Sequence, residues 1–174
     1  MESRKIELTI EQAREFYQQG GKLKELALSA YTEEELMLSI TERIIILDDA
    51  IEILGDNHYL VEEYKNVLTF MPCASKDLFA YLKLRIICAA LNDSWKPQFT
   101  KDELKYVPYF ILNKDKKTVI FGGTVYYGEY AGLNYDYCTA NSRFGSQLCF
   151  KSEKLANYCG RQFDYIWKDY LLTK

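Results

Sequence analysis

Apolar residues recur every three or four positions through roughly the first half of the chain and alternate with polar ones for a stretch after it, so helices followed by strands are predicted. Thr9-Ile10-Glu11-Gln12 forms a capping box, in which Thr9 and Gln12 each accept a hydrogen bond from the other's backbone N–H. The short helix it opens is expected to end at Gly20-Gly21, and Lys22 to Ala30 reads as the next. Thr32-Glu33-Glu34-Glu35 is a second box, with its carboxylates in a first turn that the helix dipole favours. That acidic run is read as a helix start rather than a metal or substrate site. Thr41 is expected to open a helix with Ile44, Ile45, Leu47, Ile51 and Leu54 on its apolar side, Asp48, Asp49 and Glu52 on a solvated one, and Gly55 as its stop. Ser75 to Leu91 is apolar on nearly every side and predicts a buried central helix.

The pattern changes after Trp95-Lys96-Pro97. Pro97 forbids helix continuation, and Trp95 is expected to fold back on the helix end, a packed tryptophan before a stacking platform. Thr100-Lys101-Asp102-Glu103 is a third capping box. Tyr106 to Leu112 and Thr118 to Tyr127 read as strands joined by the polar turn Asn113 to Lys117, an antiparallel hairpin with Val119, Phe121 and Val125 toward one face and a bulge or bend at Gly122-Gly123. Gln147 to Lys151 reads as a further strand. Ser152-Glu153 then caps a final helix on which Leu155, Cys159, Phe163, Ile166 and Tyr170 recur. The expected class is α+β, in a single domain over 1–174: a helical lobe over 1–93, then a small antiparallel sheet closed by a C-terminal helix over 94–174.

Composition narrows the function classes. With 48% hydrophobic residues the chain can bury a core, and its net charge of −3 argues against a general nucleic-acid binder. No apolar run reaches the roughly 20 residues of a membrane helix, and no signal-peptide core follows Met1. A cytoplasmic protein with reduced, mostly buried thiols is expected. Its single histidine, His58, follows Gly55-Asp56-Asn57 in a polar inter-helix loop, and no pair among Cys73, Cys88, Cys138, Cys149 and Cys159 has C-x-x-C spacing. No zinc ligand set, phosphate loop or catalytic triad is visible, so neither metal, cofactor nor enzymatic activity is expected. Cys138 is the thiol expected to be most exposed.

Binding is the better-supported class. Between Tyr126 and Tyr137 five tyrosines, Tyr126, Tyr127, Tyr130, Tyr135 and Tyr137, stand in twelve residues among Gly, Asn and Asp, with Arg143 soon after. Tyrosine offers a large rigid face and a polar tip at small rotamer cost, and Tyr and Arg often anchor interfaces. Strand alternation buries about every second side chain, which leaves two or three of these rings exposed. A plain alternative is that they cover the sheet's apolar underside. Single-stranded nucleic acid is a second possible ligand, with Arg143, Lys151, Lys114, Lys116 and Lys117 as its cations.

Two stretches carry a likeness. One runs from Leu84 through Leu91-Asn92-Asp93-Ser94-Trp95-Lys96-Pro97 and leads to Tyr106-Val107-Pro108-Tyr109-Phe110, and the other runs from Phe144 through Gly145-Ser146-Gln147-Leu148-Cys149-Phe150-Lys151-Ser152-Glu153-Lys154-Leu155-Ala156 to Phe163. Together they resemble a family of small uncharacterised Bacteroidetes proteins of prophages and mobile elements, with a Leu-Asn-x-x-Trp-Lys-Pro motif and a Gly-Ser-x-Leu-x-Phe-Lys-Ser-x-x-Leu-Ala motif. Gln147 stands where Arg is expected and Cys159 where Ala is usual. The resemblance implies no catalytic residue. It implies an accessory protein that binds and modulates a host protein or ribonucleoprotein machine, with a host-defence inhibitor of the anti-CRISPR kind as one case. The alternative it implies is a glycan- or peptide-recognition module of a virion or surface-associated protein.

Overall fold

Capping boxes, glycine stops and a bulge divide the chain much as the pattern predicts. A computed structural model describes residues 8–93, 95–97, 103–112, 119–127 and 146–172. These fall into two compact units, 1–43 and 44–174.

In unit 1–43, α1 (Ile10–Gln19) starts on the Thr9 box, α2 (Gly21–Ala30) follows at once, and α3 (Glu33–Leu36) starts on the Thr32 box. α4 (Ile40–Arg43) is one turn. The core is small: Ala13, Ala27 and Leu36 are buried, with Leu8, Ile10, Phe16, Tyr17 and Tyr31 partly buried around them. Polar contacts supply the rest. Arg14 donates to the Glu35 carbonyl at 3.3 Å and to Glu42 at 3.0 Å, the Tyr31 hydroxyl donates to the Leu8 carbonyl at 2.8 Å, and Tyr17 donates to Glu33.

Unit 44–174 is built on a buried helix. α5 (Leu47–Leu54), α6 (Tyr59–Phe70) and α7 (Lys76–Asn92) precede a hairpin of β1 (Lys105–Leu112) and β2 (Val119–Tyr127), and α8 (Glu153–Gln162) and α9 (Asp164–Leu171) close the chain. α7 packs on α5, α6 and α9, and Leu84, Ile86, Ile87 and Leu91 within it are fully buried. This is the central helix that the all-round apolar pattern predicts. The hairpin is antiparallel, with Tyr109 opposite Gly123 but Phe110 opposite Phe121, so Gly122 is the extra residue of a bulge. Gly123 there has φ 135°, a conformation that favours glycine.

The inner face of the hairpin rests on α8 and α9. Phe121 meets Phe110 edge-on at 5.7 Å, and Phe110 lies 5.1 Å from the buried Trp167. Gly160 is where α8 comes closest: a Cβ built there would stand 2.3 Å from the Phe121 ring. The class is α+β, as expected, and the change from helix to strand after residue 93 falls inside the second unit.

Three expectations are corrected. The helix expected from Thr41 to Leu54 is two, α4 and α5, because the Asp49 carboxylate accepts the backbone N–H groups of Ile45 and Ile46 at 2.8 and 2.9 Å and starts a new helix. Asp49 is thus a cap rather than part of a solvated face, and Ile45 is 47% exposed. Gln147 to Lys151 is not a strand but a 3-10 turn, Ser146–Leu148, followed by one bridge from Phe150 to Tyr106. The C-terminal helix breaks at Phe163 (φ −111°, ψ 29°), although Leu155, Cys159, Phe163 and Ile166 are all buried as the spacing predicts. The Thr100 capping box and the Asn113–Lys117 turn lie outside the described residues, apart from Glu103.

Candidate functional site

The two sequence motifs meet in unit 44–174. Asn92 ends α7, is 4% exposed, and donates through Nδ2 to the Cys149 carbonyl at 2.8 Å while its Oδ1 accepts the Lys151 backbone N–H at 3.0 Å. The Cys88 thiol donates to the same carbonyl at 3.1 Å. The side chain that follows Leu91 at the end of the apolar helix therefore satisfies the backbone of a segment 57 residues away in sequence. Asp93 then turns the chain at φ 47°, and Trp95 donates its backbone N–H to the Asn92 carbonyl at 3.1 Å. The Trp95 indole Nε1–H donates to Glu103 at 3.1 Å, and that carboxylate also faces Lys105, 1% exposed, at 3.4 Å.

Beside this clamp lies a cleft of about 910 Å³. Its floor is one face of α7, Arg85, Cys88, Ala89 and Asn92, at the i, i+3, i+4 and i+7 positions of a helix. Ile53 and Leu54 from α5 and His58, Tyr59 and Leu60 from the start of α6 form one wall; Trp95 to Pro97, Gln147 and Cys149 complete it. His58 caps α6 by accepting the Leu60 N–H on Nδ1 at 3.3 Å. Its ring tilts against Tyr59 at 4.8 Å. Arg85 is held by Glu63 at 2.6 Å and lies over the Tyr81 ring at 5.6 Å. A smaller groove of about 310 Å³ is lined by Tyr64, Leu68, Phe79 and Tyr165, among others.

Cys88, Cys149 and Cys159 are buried and Cys73 is exposed. Burial, and then the neighbouring thiols Cys159 and Cys149, hold the Cys88 thiol protonated well above the usual range against the opposing Asn92 hydrogen bond. Burial pushes Cys159 up to about 12, offset in part by Trp167. A thiolate is the reactive form, and burial disfavours it at both positions. No group of three or more His, Cys, Asp or Glu among the described residues is placed to hold a metal ion.

Of the residues singled out in sequence, Tyr126 and Tyr127 lie at the end of β2, opposite Tyr106 and Lys105. Tyr130, Tyr135, Tyr137, Arg143 and Cys138 lie outside the described residues, as do Lys114, Lys116 and Lys117. The hairpin's outer face was not singled out. There Tyr109, Ile111 and Ile120 are 46, 50 and 62% exposed, Ile111 stands directly opposite Ile120, and the Tyr109 ring lies over Gly122. Val107 and Lys105, on the same face of β1 toward its start, are buried. The signal for this patch is alternation that stays apolar on both faces of Tyr109-Phe110-Ile111. The cleft had none, since its lining comes from five segments spread along the chain.

The chain matches no family model, no curated protein and no solved structure. No helix among the described residues is long and apolar enough to cross a membrane.

Proposed function

We propose that the protein acts by binding rather than by turnover: it docks on a host protein or ribonucleoprotein machine in the cytoplasm and modulates it, as a prophage- or mobile-element accessory protein. The observation that carries this reading is the exposed apolar end of the hairpin, Tyr109, Ile111 and Ile120. Water-exposed cross-strand isoleucines beside a tyrosine contribute little to the fold and much to a contact that buries them. β2 ends at Tyr126 and Tyr127, the first two tyrosines singled out in sequence. The protonated, buried thiols fit the same reading.

The test is affinity capture of a tagged copy from a Bacteroidetes-type host. Beside it run an Ile111→Lys/Ile120→Lys copy and a Tyr127→Ala/Tyr130→Ala/Tyr135→Ala copy, each checked for folding by circular dichroism. One stoichiometric protein, lost from a folded variant, supports the reading. Capture of nothing, or of the same protein by every folded variant, overturns it. A glycan or nucleic acid retained in place of a protein moves the assignment to a surface recognition module or a nucleic-acid binder.

A further inference from the structure

The cleft beside the Asn92 clamp is a second place where chemistry converges, and its lining differs from the chain as a whole. The protein carries a net charge of −3, yet the cleft is lined by Arg85 and Lys96, with His58 beside them, and by no carboxylate among the described residues. Glu63 occupies Nη1 of Arg85, and a guanidinium has five donors in a fixed fork. Ile53, Leu54, Leu60 and Ala89 form the apolar part of the lining, against which a ring can pack.

The rings give the second half of the recognition. Trp95 sits on a fixed turn, tied through its backbone to Asn92 and through its indole to Glu103, and Pro97 stiffens the chain after it. Tyr59, 64% exposed, stands on the wall that α6 contributes. A held indole loses little freedom when a planar group stacks on it, and stacking of a base on such a ring contributes about ten- to hundredfold in affinity. The volume of about 910 Å³ suits a small organic ligand, within the usual range of about 300–1,000 Å³. The resembling motif thus divides into two tasks, with Asn92 fastening the fold and Trp95-Lys96-Pro97 lining the space it creates.

We propose that this cleft binds a ring-bearing organic anion of nucleoside-monophosphate size, its ring against Trp95 and its anionic group at Lys96 and Arg85. A free nucleotide and the end of a single strand share this chemistry. The chain's negative charge disfavours a long polyanion, so the free nucleotide is the expected source.

The experiment is NMR titration of the full chain, following the indole N–H resonances. The protein has two tryptophans, Trp95 at the cleft and Trp167 buried at 1% exposure, and Trp95→Phe assigns them. The probes are the four nucleoside monophosphates, the matching nucleosides, inorganic phosphate and a single-stranded pentanucleotide. At least one monophosphate is expected to shift the Trp95 indole saturably and leave Trp167 unmoved. Lys96→Ala, at an exposed position, is expected to weaken binding about tenfold, the effect of losing one charge-assisted hydrogen bond. Trp95→Leu, read by calorimetry, weakens it by about as much or more, and Trp95→Phe by less. Failure of all four monophosphates to move the Trp95 resonance at millimolar concentration overturns the proposal. So does phosphate or a nucleoside alone binding as well as the monophosphate, since either removes half of the recognition. A pentanucleotide that binds more tightly, with the same dependence on Lys96 and Trp95, supports the chemistry and assigns the source to a strand end.

Discussion

Residues 44–174 bury Leu84, Ile86, Ile87, Leu91, Phe150, Phe163 and Trp167 almost completely, whereas the buried apolar side chains described in unit 1–43 are Ala13, Ala27 and Leu36. The larger unit rests on close-packed apolar surface around one helix, which pH and salt change little. The smaller one relies on capping boxes and on polar ties at its surface, centred on Arg14, and leaves Leu23, Leu26, Leu28, Met37 and Leu38 exposed. A unit of that size buries a small share of its chain's surface and is correspondingly marginal. The close-packed frame is the region around α7, and the hairpin face and the cleft both belong to that unit.

The largest expected effect comes from the frame. Trp167→Ala removes a buried ring packed on Phe110 and is expected to cost about 3–5 kcal/mol in urea unfolding. A cost below about 1 kcal/mol would break the comparison. Asn92→Leu comes next. It takes the Nδ2 donor from the Cys149 carbonyl, which keeps the Cys88 thiol, and leaves the Lys151 N–H without its side-chain acceptor, a loss expected to cost about 1–3 kcal/mol. Gly160→Ala, whose methyl would collide with Phe121, is expected to cost about 1–3 kcal/mol. None of these should change hydrogen exchange in α1 and α2.

The smaller effects belong to unit 1–43. Ala27→Gly in α2 is expected to cost about 1 kcal/mol and to speed exchange within residues 8–43 while α7 keeps its protection. The smallest is a pH effect. Ser39, through its hydroxyl and backbone N–H, and then Arg14 lower the Glu42 carboxyl from 4.5 to about 2. A folded pKa below the unfolded one means that the ionised carboxylate favours the folded unit at neutral pH. That contribution is lost as pH falls from about 4.5 toward 2. Exchange in residues 8–43 should therefore accelerate over that window before exchange in α7 does, and Glu42→Gln should flatten the response. Simultaneous acceleration in both units would erase the distinction.

Much of the fold was legible because local chemistry decided it. The Thr9 and Thr32 boxes, the all-round apolar α7 and the Gly122-Gly123 bulge are each written in a few adjacent residues. The helix breaks were not. Ile44-Ile45-Ile46 carries an apolar pattern that continues a helix on paper, and one carboxylate four residues on redirects its backbone. At Phe163 the hydrophobic spacing runs through the break, so periodicity sees one helix where the backbone makes two. The strand expected at Gln147 to Lys151 is apolar because it is buried beside α7, a tertiary cause that mimics a strand pattern. The cleft was illegible for the same reason: Arg85, Lys96 and His58 carry no mark of convergence until Asn92 draws the two motifs together.

On the function proposed above, the hairpin of unit 44–174 makes the partner contact and the exposed leucines of α2 do not. Quantitative capture of the partner by the native chain, by Ile111→Lys/Ile120→Lys and by Leu23→Lys/Leu26→Lys tests it most directly. The account predicts that the folded hairpin variant loses the partner and that the α2 variant retains it at full stoichiometry. Retention by the hairpin variant with loss by the α2 variant would contradict it and move the contact to the marginal unit.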